Sequence, residues 1–229
     1  MDTALLAAAG QGTRYFGYPS LVGKSHITVN GKPLFEYLVE PLRHAGIEKL
    51  VIHSNIGCER NFGCFEPFFD VVVYGEPNFP EVTYIPYAWE NRLPEHYLFL
   101  FGHQPIHVSH LAKLLRLTGE SSMGTSVYPD YKILERVPVN LRDEGDIEFI
   151  EDSLGKNVKY IGAPYFIHGP VFARLVRDDN FKHWSGHYIR KSHQEGTNVK
   201  GLQSEMLPEF DYPWQWSSVE QFIARQLRS

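Results

Sequence analysis

The sequence predicts an α/β fold: a mostly parallel sheet flanked by helices, in a single domain that spans residues 1–229. Short apolar runs bounded by turn residues recur along the chain, as the strands of a sheet covered on both faces require. Segments with helical spacing of apolar residues alternate with these runs, which favours α/β architecture. The chain is long enough to bury one full core, and nothing in its composition calls for a second.

The individual elements follow from the same patterns. Strands are predicted at residues 4–9, 49–52, 69–74, 96–101, 125–128 and 163–167, and helices at 35–47, 111–117, 170–176 and 217–227. Residues 140–150 are expected to form a hairpin, with its turn at Glu144-Gly145 or Gly145-Asp146. Ser217 or Ser218 is the expected N-cap of the last helix. The polar segment 178–208 is interpreted as a lid or interface segment.

Composition and charge exclude several functional classes. Lys and Arg number 22 against 27 Asp and Glu, so the net charge of −5 leaves no basic surface typical of nucleic-acid binding. No apolar run reaches the roughly 18 residues of a membrane span, and the first residues lack the cationic start of a signal peptide. We therefore expect a cytoplasmic protein with no membrane or nucleic-acid partner. Cys58 and Cys64, the only cysteines, are expected to be free thiols.

The first apolar run ends in a glycine-rich turn. Residues 4–14 read Ala-Leu-Leu-Ala-Ala-Ala-Gly-Gln-Gly-Thr-Arg. The two glycines allow positive φ and close backbone approach to a ligand, and exposed N–H groups can hold phosphate oxygens. Arg14 adds a fixed charge with a planar fork of donors. The turn predicts nucleotide binding by a set of adjacent residues: Ala8, Ala9, Gly10, Gln11, Gly12 and Thr13.

A series of further motifs follows this turn in a fixed order. It consists of Gly23-Lys24, then Gly31-Lys32-Pro33-Leu34, then a helix that ends in Ala45-Gly46-Ile47, then a strand from Lys49. With the glycine-rich turn, this series resembles the opening of the nucleotidyltransferases with the glycosyltransferase-A-like fold. The resemblance covers residues 4–52. It implies a Rossmann-like fold of the nucleotide-diphospho-sugar transferase type.

The resemblance also implies an activity. Such enzymes transfer an NMP from an NTP to a phosphorylated small acceptor and release pyrophosphate. We expect CTP, UTP, GTP or dTTP as donor and a sugar or polyol phosphate as acceptor, with Mg²⁺ or Mn²⁺ as cofactor; oligomerisation stays open. Arg14 and Lys24 are the candidate catalytic residues, because clustered cations stabilise the charge that develops on the phosphates.

The predicted metal site departs from the family pattern. After the strand at 96–101, where ligands of an α/β sheet collect, the chain reads Gly102-His103-Gln104-Pro105. The family has Gly-Asp-x-Pro here, and its aspartate holds Mg²⁺. We expect Gly102 and His103 to contact the nucleotide, although His103 could instead bond the backbone. Imidazole as a metal ligand here is the less favoured alternative, because Mg²⁺ prefers oxygen.

The resemblance places a second metal carboxylate before the last helix. Asp211 matches the family's shorter pattern and is the preferred metal ligand, whereas Glu209 matches a longer one. The alternative is that both acids are solvated while Tyr212-Pro213-Trp214 packs the last helix against the sheet.

The acceptor site is less clear in the sequence. Glu151-Asp152 stands where sugar-phosphate-specific members have Glu-Lys, and Lys156 or Lys159 is the candidate replacement for that lysine. His183, His187 and His193 are read as surface histidines rather than metal ligands, because no cysteine or nearby carboxylate completes a set. Three of the side chains in this segment are alternative contacts to an acceptor phosphate: His187, Arg190 and Lys191.

Two further functions remain open at this stage. A relative that binds nucleotides without transferring them would follow if His103 abolishes metal-dependent chemistry. A sugar transferase with the same fold is less favoured, because the chain has no Asp-x-Asp motif.

Overall fold

The structure is a computed structural model that describes residues 2–10, 12, 16–17, 20–76, 94–118, 122–129, 137–150, 158–179, 185–204 and 216–226. The chain forms two compact units. The first contains residues 1–81, 100–111 and 207–229, and the second contains residues 82–99 and 112–206.

The described strands are β1 (Thr3–Ala7), β2 (Thr28–Val29), β3 (Lys32–Pro33), β4 (Lys49–Asn55), β5 (Asp70–Glu76), β6 (His96–Phe101), β7 (Ser122–Pro129), β8 (Pro138–Leu141), β9 (Ile147–Phe149), β10 (Lys159–His168) and β11 (Asn198–Gln203). The described α-helices are α1 (Val39–His44), α2 (Val108–Thr118), α3 (Gly169–Asp178), α4 (Ser185–Gln194) and α5 (Trp216–Gln226). Short 3-10 helices cover Lys24–His26, Leu34–Leu38, Glu59–Phe62 and Asp143–Gly145.

The first unit contains a parallel arrangement of strands. β4 lies between β1 and β5 and pairs with both in parallel, with Leu5 opposite Val51 and Ile52 opposite Val73. The side chains of β1 are buried along its whole length. This burial explains why the strand reads as a continuous apolar run rather than as an alternating pattern.

The predicted helix 35–47 has two parts. Leu34–Leu38 is a 3-10 helix, and α1 continues it from Val39. Pro41 explains the change, because proline has no N–H to donate to an α-helical partner one turn earlier but is tolerated in the first turn of a helix. The helix ends in a Schellman motif: Gly46, with φ of 73°, donates to the Arg43 carbonyl, and Ile47 donates to that of Leu42.

The C-terminal helix α5 belongs to the first unit and buries one apolar stripe. Val219 and Ile223 pack with Val29 and Leu34, and Trp216 packs against this cluster. The helix begins at Trp216, so the prediction that Ser217 or Ser218 caps it was wrong. Both serines lie exposed in its first turn.

The second unit is organised around β10. This strand pairs antiparallel with β6, β7 and β8, and β11 pairs in parallel with β7. The predicted hairpin is confirmed: β8 and β9 pair antiparallel, and Gly145 in their connection has a φ of 81°. A Cβ on Gly124 of β7 would lie 2.0 Å from Thr118, so the end of α2 packs closely on this strand.

The interpretation of residues 178–208 as a lid or interface segment was wrong for its described parts. They form helix α4 and strand β11, and β11 pairs with β7 over its whole length. The buried residues of α4 are Ser185, Gly186, Tyr188, Ile189 and Ser192. Only two of these five are large apolar residues, so the apolar spacing that would have predicted a helix is weak.

The prediction of an α/β fold with helices flanking a sheet is confirmed. That the chain is one domain stays a prediction. Both cysteines are free, as expected. Among the helices that the structure describes, none combines the length and apolar character needed to cross a membrane.

Candidate active site

The candidate site begins where β1 ends, in the first unit. The N–H of Ala8 donates to the carbonyl of His53 at the end of β4, with an N···O distance of 2.8 Å. The N–H of Gly102, just after β6, donates to the carbonyl of Ala7 at 2.9 Å. The start of the glycine-rich turn is thereby fixed to two neighbouring segments. It lies at the carboxyl end of a parallel strand, where α/β proteins bind ligands.

Three segments of the chain pack closely at Ala8. A Cβ added to Gly102 would lie 3.0 Å from the Cβ of Ala8 and 3.1 Å from that of Ser25. The Ser25 hydroxyl donates to the Ala8 carbonyl at 2.9 Å. Small residues at all three positions allow the glycine-rich turn, the Lys24–His26 helix and the turn after β6 to meet.

Asn55 holds the glycine-rich turn through its side chain. Its Oδ1 accepts from the N–H of Gly10 at 2.8 Å, and its Nδ2 donates to the carbonyls of Gly10 at 3.1 Å and Leu21 at 2.9 Å. The side chain is buried, with Asn55 only 5% exposed. Gly10 has a φ of 117°, and a Cβ on Gly23 would lie 2.8 Å from the Gly10 carbonyl oxygen. The segments before and after the turn are therefore tied together by one amide.

Lys24 lies beside the glycine-rich turn. A Cβ on Gly12, whose φ is 60°, would lie 3.0 Å from the Cγ of Lys24 and 2.9 Å from the ring of Phe16. The stem of the lysine therefore runs along Gly12, and only a residue without a side chain leaves room for it. This contact brings a predicted phosphate-binding cation next to the predicted phosphate-binding backbone.

Burial disfavours the charged form of two histidines beside the site, His26 and His53. Burial lowers the pKa of His53 to about 4, and its ring stacks on Tyr74 with centroids 5.8 Å apart. Burial also lowers the pKa of His26, whose ring meets Phe35 and Phe62 edge to face. Of the predicted cations, Lys24 is the one that the described residues place at the turn.

The structure brings together many of the predicted site residues but does not describe all of them. Ala8, Gly10, Gly12, Lys24 and Gly102 are joined by the contacts above, and half-buried Ala9 lies between two of them. Several predicted residues lie outside the described part of the chain: Gln11, Thr13, Arg14, Glu209 and Asp211, together with Glu151, Asp152, Lys156 and His183. Their roles stay predictions.

His103 follows the Gly102 turn and is half-buried, with its ring 5.5 Å from that of Phe101. Imidazole is a poor ligand for Mg²⁺, which prefers oxygen. Within the described residues, a group of at least three potential metal ligands occurs elsewhere, at Glu95, His96 and His168. The described residues at the glycine-rich turn therefore do not by themselves fit a magnesium ion, and a carboxylate from outside them would be required.

The side chains predicted as alternative acceptor contacts make other contacts in the second unit. Lys191 pairs with Asp179 at 3.1 Å, and His187 lies 4.0 Å from the same carboxylate. Lys159 donates to the side-chain oxygen of Gln203 at 2.6 Å. A phosphate bound by Lys159 or Lys191 would have to compete with these partners.

The sequence analysis missed Asn55 and Ser25, and it quoted Gly23 only as part of the Gly23-Lys24 motif, without a role of its own. Asn55 ends β4, in the polar series His53-Ser54-Asn55, and a polar residue at the carboxyl end of a neighbouring parallel strand was the available signal. Gly23 and Ser25 flank Lys24. Their importance depends on contacts with residues distant in sequence, so no local pattern reveals it.

Three solved enzyme structures share the fold of this chain. A UDP-glucose pyrophosphorylase complexed with UDP-glucose matches with a TM-score of 0.77 at 13% identity, covering 99% of both chains. The inositol-1-phosphate CTP transferase from T. maritima matches with a TM-score of 0.73 at 17% identity, covering 99% of this chain and 96% of that one. The chain therefore shares the fold of these enzymes.

A third match extends the range of substrates among these neighbours. A CMP:2-keto-3-deoxy-manno-octonic acid synthetase complexed with CTP has a TM-score of 0.69 at 14% identity, covering 99% of this chain and all of that one. No protein-family model matches the sequence, and no curated protein matches it. At these identities the likeness establishes the fold, as the resemblance in residues 4–52 implied.

Proposed function

We propose that the chain is a nucleotidyltransferase that transfers an NMP from a pyrimidine or guanine NTP to a sugar or polyol phosphate and releases pyrophosphate. The observation that carries the proposal is the contact of the Lys24 side chain with Gly12 of the glycine-rich turn. Asn55 holds the backbone of the same turn at Gly10. The Lys24 contact places a cation beside the described backbone of the glycine-rich turn, at the carboxyl end of a parallel strand. The neighbouring structures with this fold act on CTP or on UDP-glucose, which supports the class of donor.

In the proposed reaction the protein supplies no nucleophile. A phosphate oxygen of the acceptor attacks the α-phosphorus of the NTP in line, the bond from that phosphorus to the bridging oxygen of pyrophosphate breaks, and pyrophosphate leaves with that electron pair. The glycine-rich turn binds the phosphates through its N–H groups. Lys24 and Arg14 stabilise the negative charge on the phosphate oxygens, and the turn orients the α-phosphorus.

A divalent cation, when bound, would neutralise further charge on the triphosphate. Asp211, or Glu209 in its place, is the proposed ligand, because His103 occupies the position at which related enzymes have an aspartate. We derive no step through this ion. The proposal for the residues of the turn stands without it.

The competing function is nucleotide binding without transfer, and His103 is the observation that favours it. The two functions differ in one product. A transferase releases pyrophosphate when both NTP and acceptor are present, whereas a binding protein shows NTP affinity without pyrophosphate release.

The test is a matrix of CTP, UTP, GTP and dTTP against sugar 1-phosphates and inositol 1-phosphate, each with Mg²⁺ or Mn²⁺. Pyrophosphate release is measured together with NTP affinity by calorimetry. Lys24→Ala reports on the site, and Lys32→Ala is the matched control because Lys32 is an exposed lysine that pairs with Glu36. Release that requires an acceptor and is lost in Lys24→Ala supports the transferase. NTP binding with no release by any pair would indicate the binding protein, and the absence of both would refute the proposed site.

A further inference from the structure

A second cluster of polar side chains lies in the second unit, at the start of β6. One potential ligand atom of each of Glu95, His96 and His168 lies within 4.8 Å of the others. The Nε2 of His168 is 2.9 Å from the Oε1 of Glu95, and the His96 and His168 rings meet edge to face with centroids 4.8 Å apart. The cluster has no part in the proposed nucleotide site.

The sheet itself positions these residues. His96 on β6 lies directly opposite His168 on β10 in the antiparallel register, so the two imidazoles project from paired positions. The N–H of Gly169 donates to the carbonyl of Glu95 at 2.7 Å, which holds the glutamate backbone beside His168. A Cβ on Gly169 would lie 3.1 Å from the ring of Tyr97, so this approach depends on a residue without a side chain. The donors are thus placed by regular structure, which lowers the cost of ordering them around a ligand.

The chemistry of the three donors selects a class of ligand. Two imidazoles and one carboxylate suit Zn²⁺ and related first-row transition metals, whereas Mg²⁺ and Ca²⁺ prefer oxygen alone. Tetrahedral zinc with bonds of about 2.0–2.2 Å places ligand atoms about 3.3–3.5 Å apart. The three ligand atoms lie within 4.8 Å of one another, which is wider than this range. The 2.9 Å between Nε2 of His168 and Oε1 of Glu95 is narrower than it. Small side-chain rotations would therefore bring the donors to coordination distance.

The cluster is open to the solvent. The side chain of Glu95 is 68% exposed and that of His168 is 24% exposed, so an ion can enter without unfolding the strand ends. Three protein donors leave the fourth tetrahedral position for water.

We propose that Glu95, His96 and His168 bind a divalent transition-metal ion, of which Zn²⁺ is the representative. The ion joins the beginning of β6 to the end of β10, immediately before α3. The alternative is a hydrogen-bonded cluster without metal, in which His168 and Glu95 form an ordinary surface pair. The chain offers a pair of that kind for comparison, because His44 lies 3.4 Å from Glu40 on the exposed side of α1.

The experiment titrates the full chain, freed of metal by a chelator, with Zn²⁺ by calorimetry and with Co²⁺ by visible absorption. The variants are His168→Ala and Glu95→Gln, and the control is His44→Ala. We expect one equivalent of Zn²⁺ to bind the wild type, and each cluster variant to bind at least about tenfold more weakly, the scale of one lost contact. The intense Co²⁺ bands of a four-coordinate site should be lost in His168→Ala and unchanged in His44→Ala.

Two results would overturn the proposal. One is a wild type that takes up no Zn²⁺ or binds it with the same affinity as both cluster variants. The other is a loss of Zn²⁺ affinity in His44→Ala as large as that in His168→Ala, which would indicate that the metal binds to scattered surface histidines. Glu95→Gln keeps the shape of an exposed side chain, so its loss of metal affinity would not be attributable to unfolding. Far-ultraviolet circular dichroism of each variant verifies the fold.

Discussion

The side chain of Asn55 and the backbone of Gly10 exchange two hydrogen bonds across 45 residues of sequence: the Gly10 N–H donates to Oδ1, and Nδ2 donates to the Gly10 carbonyl. A third bond connects the same side chain to the carbonyl of Leu21. One buried amide at the end of β4 therefore fixes the backbone of Gly10, where the glycine-rich turn begins. Fixing this point reduces the ordering needed when a ligand binds beside it.

Replacing Asn55 should loosen this turn. Asn55→Ala removes all three bonds of a buried side chain to the partly buried backbone of Gly10 and Leu21, so we expect a loss of about 1–3 kcal/mol in the free energy of unfolding. Asn55→Asp can still accept from Gly10 but cannot donate to the two carbonyls, and it adds negative charge beside the proposed phosphate site. Both variants should bind NTP at least about tenfold more weakly. Urea unfolding and calorimetry measure the two effects.

Asn61→Ala is the control for this series, because Asn61 is exposed in the short helix Glu59–Phe62. Its stability should stay within about 0.5 kcal/mol of the wild type, with NTP affinity unchanged. Equal stability and equal NTP affinity of the Asn55 and Asn61 variants would show that the hydrogen bonds of Asn55 have no role.

Gly102→Ala tests the close packing at Ala8. The added Cβ would lie 3.0 Å from the Cβ of Ala8 and 3.1 Å from that of Ser25, so the segments must separate. We expect a loss of about 1–3 kcal/mol in stability by urea unfolding, with weaker NTP binding because the turn is displaced.

Gly63→Ala is the matched glycine control. It has helical backbone angles, φ −58° and ψ −18°, and a Cβ there would meet nothing within 4 Å. Alanine should be neutral or should stabilise the chain by up to about 1 kcal/mol, since it restricts the unfolded state. A Gly102→Ala variant as stable as Gly63→Ala would contradict the packing argument.

The two predicted cations should contribute separately to NTP affinity. Lys24→Ala and Arg14→Ala should each weaken binding by about tenfold, the scale of one charge-assisted contact, as measured by calorimetry. Lys32→Ala should bind as the wild type does. Unchanged affinity in Arg14→Ala would remove that residue from the nucleotide site.

His103→Asp tests the departure from the family's metal pattern. If the chain is a transferase, an oxygen ligand in place of imidazole should increase Mg²⁺-dependent pyrophosphate release, because Mg²⁺ prefers carboxylate. If it only binds nucleotides, the substitution should tighten binding of the Mg²⁺–NTP complex without creating release. A large loss of activity would contradict both expectations and would show that the imidazole itself is needed.

The buried His53 should make stability depend on pH. Burial lowers its pKa from 6.5 to about 4, so below pH 6.5 the unfolded chain takes up a proton that the folded chain excludes. The contribution of His53 to the free energy of unfolding is complete above pH 6.5. As the pH falls towards 4 this contribution is lost, and the total loss is about 3 kcal/mol. His53→Phe keeps a ring against Tyr74. In this variant the free energy of unfolding, measured by urea unfolding at a series of pH values, should change less between pH 6.5 and 4. Identical pH slopes in the two proteins would exclude this histidine as the cause.

The sequence alone determined the fold class and much of the turn. Continuous apolar runs such as that of β1 identified buried parallel strands, since burial on both faces removes alternation. Glycines that require positive φ marked the predicted nucleotide-binding turn, because that need is local to the backbone. The Ala45-Gly46-Ile47 ending likewise predicted the end of the helix. The residue type at a single position therefore indicates the local backbone conformation.

Contacts between distant segments were decided only by the tertiary structure. The role of Asn55 depends on Gly10, which is distant in the sequence and comes close in space only when β1 and β4 pair. Helix α4 was missed because three of its five buried residues are glycine or serine, which leaves little apolar periodicity in the sequence. The pairing of His96 with His168 similarly depends on strand register. Sequence patterns report which residues are buried along one element, whereas pairing and packing between elements decide which side chains meet.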